Sequence, residues 1–299
     1  TLRGLGPGDW RHLWRLIARS GLPGYFLAVL TELQRAHRWR LPAALMHHLE
    51  GHANAAIYSY LVHRKVYDDI SRVLARDGIP HLPLKGIRLI DALYPDPGWR
   101  TLGDIDVLLD EADLAPAHET LLALGLTPES GPARERMERY HHHHGYTRTV
   151  GEDVIRLELH FRLGAWIPKD SATLRPSAAQ GMDPEDELLY LMLHAGHHLY
   201  RASPKWHVDI HLMARTLAPS APDASAWDDL GGLFDRMQDA ARDASCLRSL
   251  HLARAMHESF LSVRIPTPAA LPATMAAARA LCRPDELLSE EPVFARKWP

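Results

Sequence analysis

The spacing of apolar residues changes near Asp77–Gly78, and this change restricts the possible folds more than any other property of the sequence. Before it, apolar residues recur every three or four positions, which is typical of helices that bury one face. After it, short segments either alternate apolar and polar residues or run apolar for a few positions, as strands do. Helical spacing returns at Asp183. The sequence therefore predicts helices at both ends and a small sheet between them.

Turn and capping residues set the expected boundaries of these elements. Asp9 is expected to cap the first helix, and Gly21–Gly24 and Leu41–Pro42 separate it from further helices that end at about Arg76. The expected strands are Ile79–Leu84 at a sheet edge, Asp104–Leu109, and a hairpin of Tyr146–Val150 and Val154–Arg162. The other expected helices cover 87–93, 114–124, 205–217, 226–262 and 267–282, with one that begins at Pro184 behind the cap Asp183. Residues 127–145 are expected to be irregular.

These elements predict an α+β fold, in which a small mixed sheet is flanked by N-terminal and C-terminal helical regions. We expect an N-terminal helical region over 1–77, an α+β core over 78–165 and a C-terminal helical region over 183–299. With 46% apolar and 24% charged residues, the chain has the composition of an ordinary globular protein.

Charge and hydropathy argue against two classes of partner. The formal net charge is −3, which gives no strong signal for binding to nucleic acid or to an anionic membrane. The longest apolar run, Leu22–Leu33, is interrupted by Pro, Gly and Glu and is too short to span a bilayer. Only two cysteines occur, and Thr1–Arg11 carries charges without an apolar segment, so we expect a cytoplasmic protein without a signal peptide.

Two aspartates, Asp104 and Asp106, stand two positions apart in a predicted strand. Side chains alternate along a strand, so both carboxylates are expected on one face while Ile105 and Val107 face the core. Two like charges so close repel each other, and a divalent cation with a preference for oxygen ligands, such as magnesium, removes that cost. The alternative is a solvated strand edge, since Asp-x-Asp alone is a weak motif.

A second predicted strand carries further polar groups on one face. Its apolar positions are Ile155, Leu157, Leu159 and Phe161, and its polar positions are Arg156, Glu158, His160 and Arg162. If this strand lies beside the first in register, Glu158 becomes a third carboxylate of the site and His160 shares its face. Otherwise the polar face simply meets water.

Lys85 and Gly86 stand where a strand is expected to turn into a helix. Glycine lets backbone N–H groups approach a ligand, and a helix N-terminus favours phosphate. Lys85 adds a positive charge, and Arg100, just before the acidic pair, can hold phosphate or pin its loop to the carboxylates. A plain turn with an exposed lysine is the alternative interpretation.

Taken together, these motifs resemble one protein family. The segments concerned are Leu84–Gly86, Leu93–Pro95, Arg100, Gly103–Leu108, Leu122–Gly125 and Leu157–Arg162. They are similar to the bacterial uncharacterised nucleotidyltransferase family, which is assigned to the DNA polymerase beta-like nucleotidyltransferase superfamily. The resemblance is concentrated in residues 79–162 and implies a sheet of the nucleotidyltransferase type.

The resemblance also implies a reaction and a set of site residues. Asp104, Asp106 and Glu158 are implied to bind two metal ions, Mg²⁺ or Mn²⁺, and the turn at Lys85–Gly86 to meet the triphosphate. A nucleoside triphosphate, with ATP preferred, would then transfer its nucleoside monophosphate to an acceptor hydroxyl and release pyrophosphate. Glu158, or alternatively His160, would take the proton. The acceptor is left open among a small molecule, a protein and an RNA.

One departure keeps two alternatives open. The wider superfamily has Gly-Ser at the phosphate-binding turn, whereas here Ile87 follows Gly86, so the turn offers no hydroxyl. This favours a catalytically inactive nucleotide-binding regulator or toxin–antitoxin component as the second hypothesis. A zinc hydrolase built from a histidine cluster is the third.

Twenty histidines occur, and two groups of them attract attention. His141–His144 form an internal quartet, which we interpret as a polar loop, with metal binding as the alternative. His194, His197 and His198 have the spacing of one helix face. Ala195 follows the first of them, where a zinc-protease motif needs glutamate. We therefore expect this helix to pack against the nucleotide site, with one or two of the histidines lining the cleft.

Overall fold

The computed structural model describes residues 5–38, 40–129, 142–164, 178–197 and 203–218, with isolated positions at 235–237, 239, 241 and 250. Within these ranges a five-stranded mixed sheet lies between two groups of helices. The predicted α+β fold is therefore confirmed. The helices predicted over 226–262 and 267–282 lie outside the described residues, apart from the isolated positions. The three predicted regions remain predictions.

Three helices precede the sheet: α1 over Pro7–Ser20, α2 over Pro23–His37 and α3 over Ala43–Arg76. The first begins two residues before the predicted cap, because Pro7 suits a first helical position. Asp9 then caps from inside the helix, and its Oδ2 accepts a hydrogen bond of 2.8 Å from the backbone N–H of Gly6. Gly21 ends α1 with a φ of 73°, a conformation that glycine adopts without strain.

The strands are β1 over Leu82–Leu84, β2 over Ile105–Leu108, β3 over Thr127–Pro128, β4 over His143–Val150 and β5 over Asp153–His160. Their order in the sheet is β1-β2-β5-β4-β3. Strands β2 and β5 run parallel, and every other pair is antiparallel. Pro83 cannot donate a backbone hydrogen bond, which is tolerated because β1 lies at the edge, as predicted.

The expectation of irregular structure over 127–145 is wrong at both ends of that segment. Thr127 pairs with Thr147 to form β3, and His143 pairs with His160 at the start of β4. The backbone N–H of Glu129 also donates to the carbonyl of Gly145 at 2.9 Å. These hydrogen bonds come from strands that are distant in sequence but adjacent in the sheet. Strand pairing therefore outweighs the polar composition of this segment, which had predicted a loop.

One face of the sheet packs on α3 and on α5, which covers Leu114–Ala123. Leu74 of α3 and Leu121 of α5 are fully buried in the same cluster as the strand residues. The strand side chains in that cluster include Ile105, Val107, Ile155, Leu157 and Leu159. These are the apolar positions of the two alternating segments, so the predicted period of two is observed.

The opposite face of the sheet packs against one helix from within the sheet region of the sequence and two helices that follow the last strand. Helix α4 covers Lys85–Leu93, α6 covers Pro184–His197 and α7 covers Pro204–Leu217. Leu84 and Leu108 of this face share a core with residues of these helices, including Leu89, Leu188, Met192, Ile210 and Met213. Pro184 occupies the predicted first helical position. None of the described helices combines the length and the apolar character that crossing a bilayer requires.

Candidate active site

The pairing of β2 with β5 brings two acidic residues side by side. Asp106 lies directly opposite Glu158 in the parallel register, and Leu84 of β1 lies opposite Asp106 on its other side. Paired residues share a face of the sheet, so both carboxylates project from the face that meets α4 and α6. The polar face of β5 is therefore directed into the fold at this point rather than into water.

Asp106 is the most enclosed acid of the group, with 3% of its side chain exposed. Its Oδ1 receives the ammonium of Lys85 at 2.7 Å and lies 2.8 Å from Nε2 of His160. Burial opposes the charged carboxylate, but Lys85 and His160 outweigh burial and lower the pKa of Asp106 below its ordinary value. Asp106 is therefore ionised and held by the ammonium of Lys85 and the ring of His160.

Glu158 is more open, with 14% of its side chain exposed. Its Oε2 lies 3.5 Å from Nε2 of His160, and its Oε1 lies 3.8 Å from His143 and 3.7 Å from Arg156. Burial raises the pKa of Glu158, whereas the hydrogen bond to His160 and the charges of His143 and Lys85 lower it, and the net shift is downward. Glu158 is thus a second ionised carboxylate beside Asp106.

Asp104 immediately precedes β2 rather than lying within it. Burial, and then repulsion by Asp106, raise the pKa of Asp104 above its ordinary value. A ligand atom of Asp106, of Glu158 and of His160 all lie within 4.8 Å of one another, and Asp104 is not part of that compact group. Asp104 is a neighbouring acid that is repelled by the negative charges of Asp106 and Glu158.

His160 ends β5 and is completely buried. Burial alone disfavours the charged ring, but the hydrogen bonds to Asp106 and Glu158 prevail and raise the pKa of His160. Its other nitrogen, Nδ1, has no hydrogen-bond partner within the described part of the chain. Burying a ring nitrogen without a hydrogen-bond partner costs free energy, so Nδ1 marks a position where an atom of a bound ligand could complete the contacts of His160.

Lys85 is the first residue of α4 and adopts a φ of 43°, a left-handed conformation that is rare outside glycine. Its side chain is 15% exposed and turns towards Asp106. The next residue, Gly86, is buried, and a Cβ at this position would collide with Leu102. A larger residue here would have to displace the end of the Leu102 side chain, so close packing favours glycine independently of any contact with a ligand.

Arg100 has a different partner from the phosphate or the nearby carboxylates that we expected. Its Nε and Nη2 each donate a hydrogen bond of 2.8 Å to the two carboxylate oxygens of Asp209 on α7, and both side chains are buried. Tyr94 donates a further hydrogen bond of 2.7 Å to Asp209. Arg100 therefore fastens the loop before β2 to α7, and its contact with phosphate stays a prediction.

Lys205 was not singled out in the sequence, because a lysine near the start of a helix carries no local signal. It is the second residue of α7, and its Nζ donates to the carbonyl of Thr101 at 3.4 Å. Burial, and then the charge of Arg100, lower the pKa of Lys205 to about 8, against an opposite effect of Asp209 and Asp104. Lys205 is therefore a second half-buried lysine near the acidic residues.

The histidine groups separate into described and undescribed members. His142 and His143 lie beside His160, with ring centroids 5.2 and 5.0 Å from it, whereas His144 lies 5.6 Å from the ring of Phe161. His141 lies outside the described residues. His194 lies edge-on to Trp206 at 4.8 Å, and the side chain of His197 and all of His198 are outside the described part.

The charge balance of the site suits a divalent cation. Asp104, Asp106 and Glu158 contribute three carboxylates, and Lys85 is the one lysine in direct contact with them in the described chain. Repulsion by Asp106 and Glu158 adds to burial in raising the pKa of Asp104, and a divalent cation would relieve that repulsion. Carboxylate oxygens are the donors that Mg²⁺ or Mn²⁺ accepts, so Asp104, Asp106 and Glu158 fit such an ion.

Comparison with known proteins gives one match. A family model described as uncharacterised nucleotidyltransferase matches residues 6–261. No curated protein and no solved structure gives a match to the chain. The matched range includes every acidic, basic and histidine residue of the site.

Proposed function

Because the chain belongs to the uncharacterised nucleotidyltransferase family, we propose that it transfers a nucleoside monophosphate from a nucleoside triphosphate to an acceptor hydroxyl. Family membership supports the general role of a nucleotidyltransferase. The observation that carries the specific proposal is the register that places Asp106 opposite Glu158, beside Lys85, on one face of the sheet.

Asp104, Asp106 and Glu158 are the proposed ligands of Mg²⁺ or Mn²⁺. When bound, such ions neutralise the triphosphate and polarise its α-phosphorus. The protein contributes by fixing the ligands: Asp106 and Glu158 lie on paired strands whose other faces are buried in the core. Rigid placement of this kind keeps charged groups aligned before the substrate arrives, which is the largest source of catalysis in phosphoryl transfer.

The triphosphate is proposed to meet Lys85, Gly86 and the N-terminal turn of α4, with ATP as the preferred substrate. An ammonium group and a helix N-terminus both attract phosphate. Lys85 compensates for the missing hydroxyl of this turn, because its ammonium already stands between the strand and the helix. Lys205 is proposed as a further phosphate contact from α7, replacing Arg100, whose guanidinium is occupied by Asp209.

The proton of the acceptor hydroxyl is proposed to move to Glu158. Its side chain is 14% exposed, whereas His160 is fully enclosed and already bonded to Asp106 through Nε2. As the proton leaves, the acceptor oxygen forms a bond to the α-phosphorus, and the bond from the α-phosphorus to the bridging oxygen of the pyrophosphate breaks. His160 orients Asp106 and remains the alternative base.

A second candidate function is nucleotide binding without chemistry, in a regulator or toxin–antitoxin component. The specific observation in its favour is that Ile87 follows Gly86, so the turn lacks the superfamily's serine hydroxyl. In that case the Lys85–Asp106 ion pair stabilises the fold, and a nucleotide binds without being cleaved. The two functions differ in whether pyrophosphate is released.

The test has two stages. First, each of the four ribonucleoside triphosphates is added with Mg²⁺ or Mn²⁺, and the melting temperature is measured, since a ligand that binds the native state raises it. Second, pyrophosphate release and transfer of an α-phosphate label are followed with small alcohols, RNA and the protein itself as acceptors. Asp106→Asn and Glu158→Gln should abolish release, and the exposed Asp110→Asn should not.

The outcomes separate the hypotheses. Metal-dependent stabilisation together with label transfer supports the transferase. Stabilisation without release or transfer supports the binding module. If no triphosphate stabilises the protein with either cation, both proposals are wrong.

A further inference from the structure

Three histidine rings meet beside the carboxylates. His143 begins β4 and lies opposite His160 at the end of β5, and His142 directly precedes β4. The ring centroids of His142 and His143 are 4.8 Å apart, and those of His142 and His160 are 5.2 Å apart. Each of the three offers a ring nitrogen within 4.8 Å of the nitrogens offered by the other two. The sheet therefore gathers three imidazoles from two neighbouring strands.

The spacing of the first two rings matches that of metal ligands. Nε2 of His142 lies 3.5 Å from Nδ1 of His143. Two nitrogens bound to a tetrahedral zinc ion, each about 2.0–2.1 Å from the metal, lie roughly 3.4 Å apart. The nitrogen that His160 offers lies within 4.8 Å of these two, so it must approach by up to about 1.4 Å to complete such a set. Side-chain rotation provides a shift of that size.

His160 has the second contact that a metal-binding histidine usually makes. Its Nε2 is hydrogen-bonded to Asp106 at 2.8 Å, and its buried Nδ1 has no hydrogen-bond partner in the described chain. Histidines that bind metals commonly give their other ring N–H to a carboxylate, which fixes the ring and raises its basicity. Nδ1 is thus the nitrogen left for a cation, which would replace any proton there.

We infer that His142, His143 and His160 form a nitrogen site for a borderline divalent cation, with zinc the best match, next to the oxygen-rich group of Asp106 and Glu158. Imidazole nitrogens favour zinc, cobalt, nickel and copper over magnesium, which prefers oxygen. A bound ion would clamp the start of β4 to the end of β5 and hold Nε2 of His160 on Asp106. The inference goes beyond nucleotide transfer and does not depend on it.

The test measures cation binding without nucleotide. The full chain is stripped with a chelator and titrated with Co²⁺, whose visible absorption reports tetrahedral nitrogen ligation. We expect one tightly bound Co²⁺ per chain, displaced by Zn²⁺ but retained in a large excess of Mg²⁺. Since loss of even an indirect partner weakens metal sites about 10–100-fold, His143→Asn should weaken Co²⁺ binding by at least that factor.

A neighbouring residue provides the matched control. His144 is next in β4 and pairs with Leu159, so its ring faces the other side of the sheet and lies against Phe161. His144→Asn should bind Co²⁺ as the unaltered chain does. Equal affinity of the two variants, or displacement of Co²⁺ by Mg²⁺ in the unaltered chain, would overturn the inference. The Mg²⁺ competition decides even if His143→Asn does not fold.

Failure of this inference is distinct from failure of the proposed function. A chain that releases pyrophosphate with Mg²⁺ but does not hold Co²⁺ in excess Mg²⁺ lacks the nitrogen site and retains the transferase. A chain that holds Co²⁺ but releases no pyrophosphate has the nitrogen site alone.

Discussion

The ammonium of Lys85 lies 2.7 Å from Oδ1 of Asp106, and the two side chains are only 15% and 3% exposed. A lysine at the first residue of α4 is thus fixed to an aspartate in the middle of the sheet. The pair compensates one carboxylate of the site in the absence of any other cation, and it places a positive charge where the triphosphate is proposed to bind.

Removal of the Lys85 ammonium should make the thermal stability of the protein depend on a divalent cation. Loss of one partner from a buried ion pair costs on the order of 3 kcal/mol, because the remaining charge stays buried. We expect Lys85→Met to melt at a lower temperature than the unaltered chain. We also expect Mg²⁺ to raise the melting temperature of the variant by more than it raises that of the unaltered chain. Differential scanning calorimetry with and without Mg²⁺ measures both effects.

The control for this prediction is Lys65, which pairs with Asp69 at 2.8 Å on the surface of α3 and is 68% exposed. Asp69 is mostly buried but keeps Arg72 and Arg148 as partners when Lys65 is lost, and the exposed lysine itself contributes less than about 1 kcal/mol. Lys65→Met should therefore have little effect with or without Mg²⁺. An equal Mg²⁺ response in the two variants would contradict a cation site at Asp106.

The second prediction concerns the Arg100–Asp209 ion pair, which we expect to stabilise the fold and not to contact the nucleotide. Their paired hydrogen bonds of 2.8 Å are buried, so Asp209→Asn should lower the free energy of unfolding by roughly 3 kcal/mol, measured by denaturant titration. The folded Arg100→Gln variant should keep its nucleotide affinity. Arg76→Gln, at an exposed pair with Asp77, should change stability by less than about 1 kcal/mol. A large loss of nucleotide affinity in folded Arg100→Gln would restore the expected phosphate contact.

Two helical glycines should respond in opposite directions to the same substitution. A Cβ at Gly24 in α2 would collide with the backbone of Gly98, whereas a Cβ at Gly51 in α3 meets nothing within 4 Å. Gly24→Ala should therefore separate α2 from the loop that leads to β2 and destabilise the chain. Gly51→Ala should stabilise it by about 0.5–1 kcal/mol through helix propensity. Thermal unfolding of both variants checks the prediction, and a stable Gly24→Ala chain would contradict the close packing.

Local periodicity was sufficient to predict the strands that carry Asp106 and Glu158, although Asp104, predicted to begin the first of them, lies just before β2. The alternation over Ile155–Arg162 indicated a strand with Glu158 and His160 on one face, and the structure pairs that strand with β2. What periodicity cannot supply is the partner of a side chain that is distant in sequence. Asp209 lies 109 positions from Arg100, and no local pattern connects them.

The histidine quartet illustrates the same limit. Its polar composition favoured a loop, yet His143 belongs to β4, because its place is set by pairing with His160. Consecutive histidines on a strand face opposite sides, so the quartet could be divided in advance into two sets. Within β4 the register places His143 rather than His144 beside His160. His142 precedes the strand and joins the same cluster outside that alternation, which the pattern could not predict.

Lys205 yields a prediction for pH. Its pKa is lowered to about 8, chiefly by burial, so the side chain is charged below pH 8 and neutral above it. The charged form is the one that attracts phosphate, so nucleotide affinity should weaken as the pH rises through 8, by up to roughly tenfold per pH unit. Titration of nucleotide binding between pH 7 and pH 9 measures this, with Lys205→Met as the variant that lacks the titrating group.

The Lys205→Met variant should bind nucleotide weakly at all these pH values and show no inflection near pH 8. If its pH profile matches that of the unaltered chain, Lys205 does not contact the triphosphate, and the positive charge near the phosphates comes from Lys85 alone.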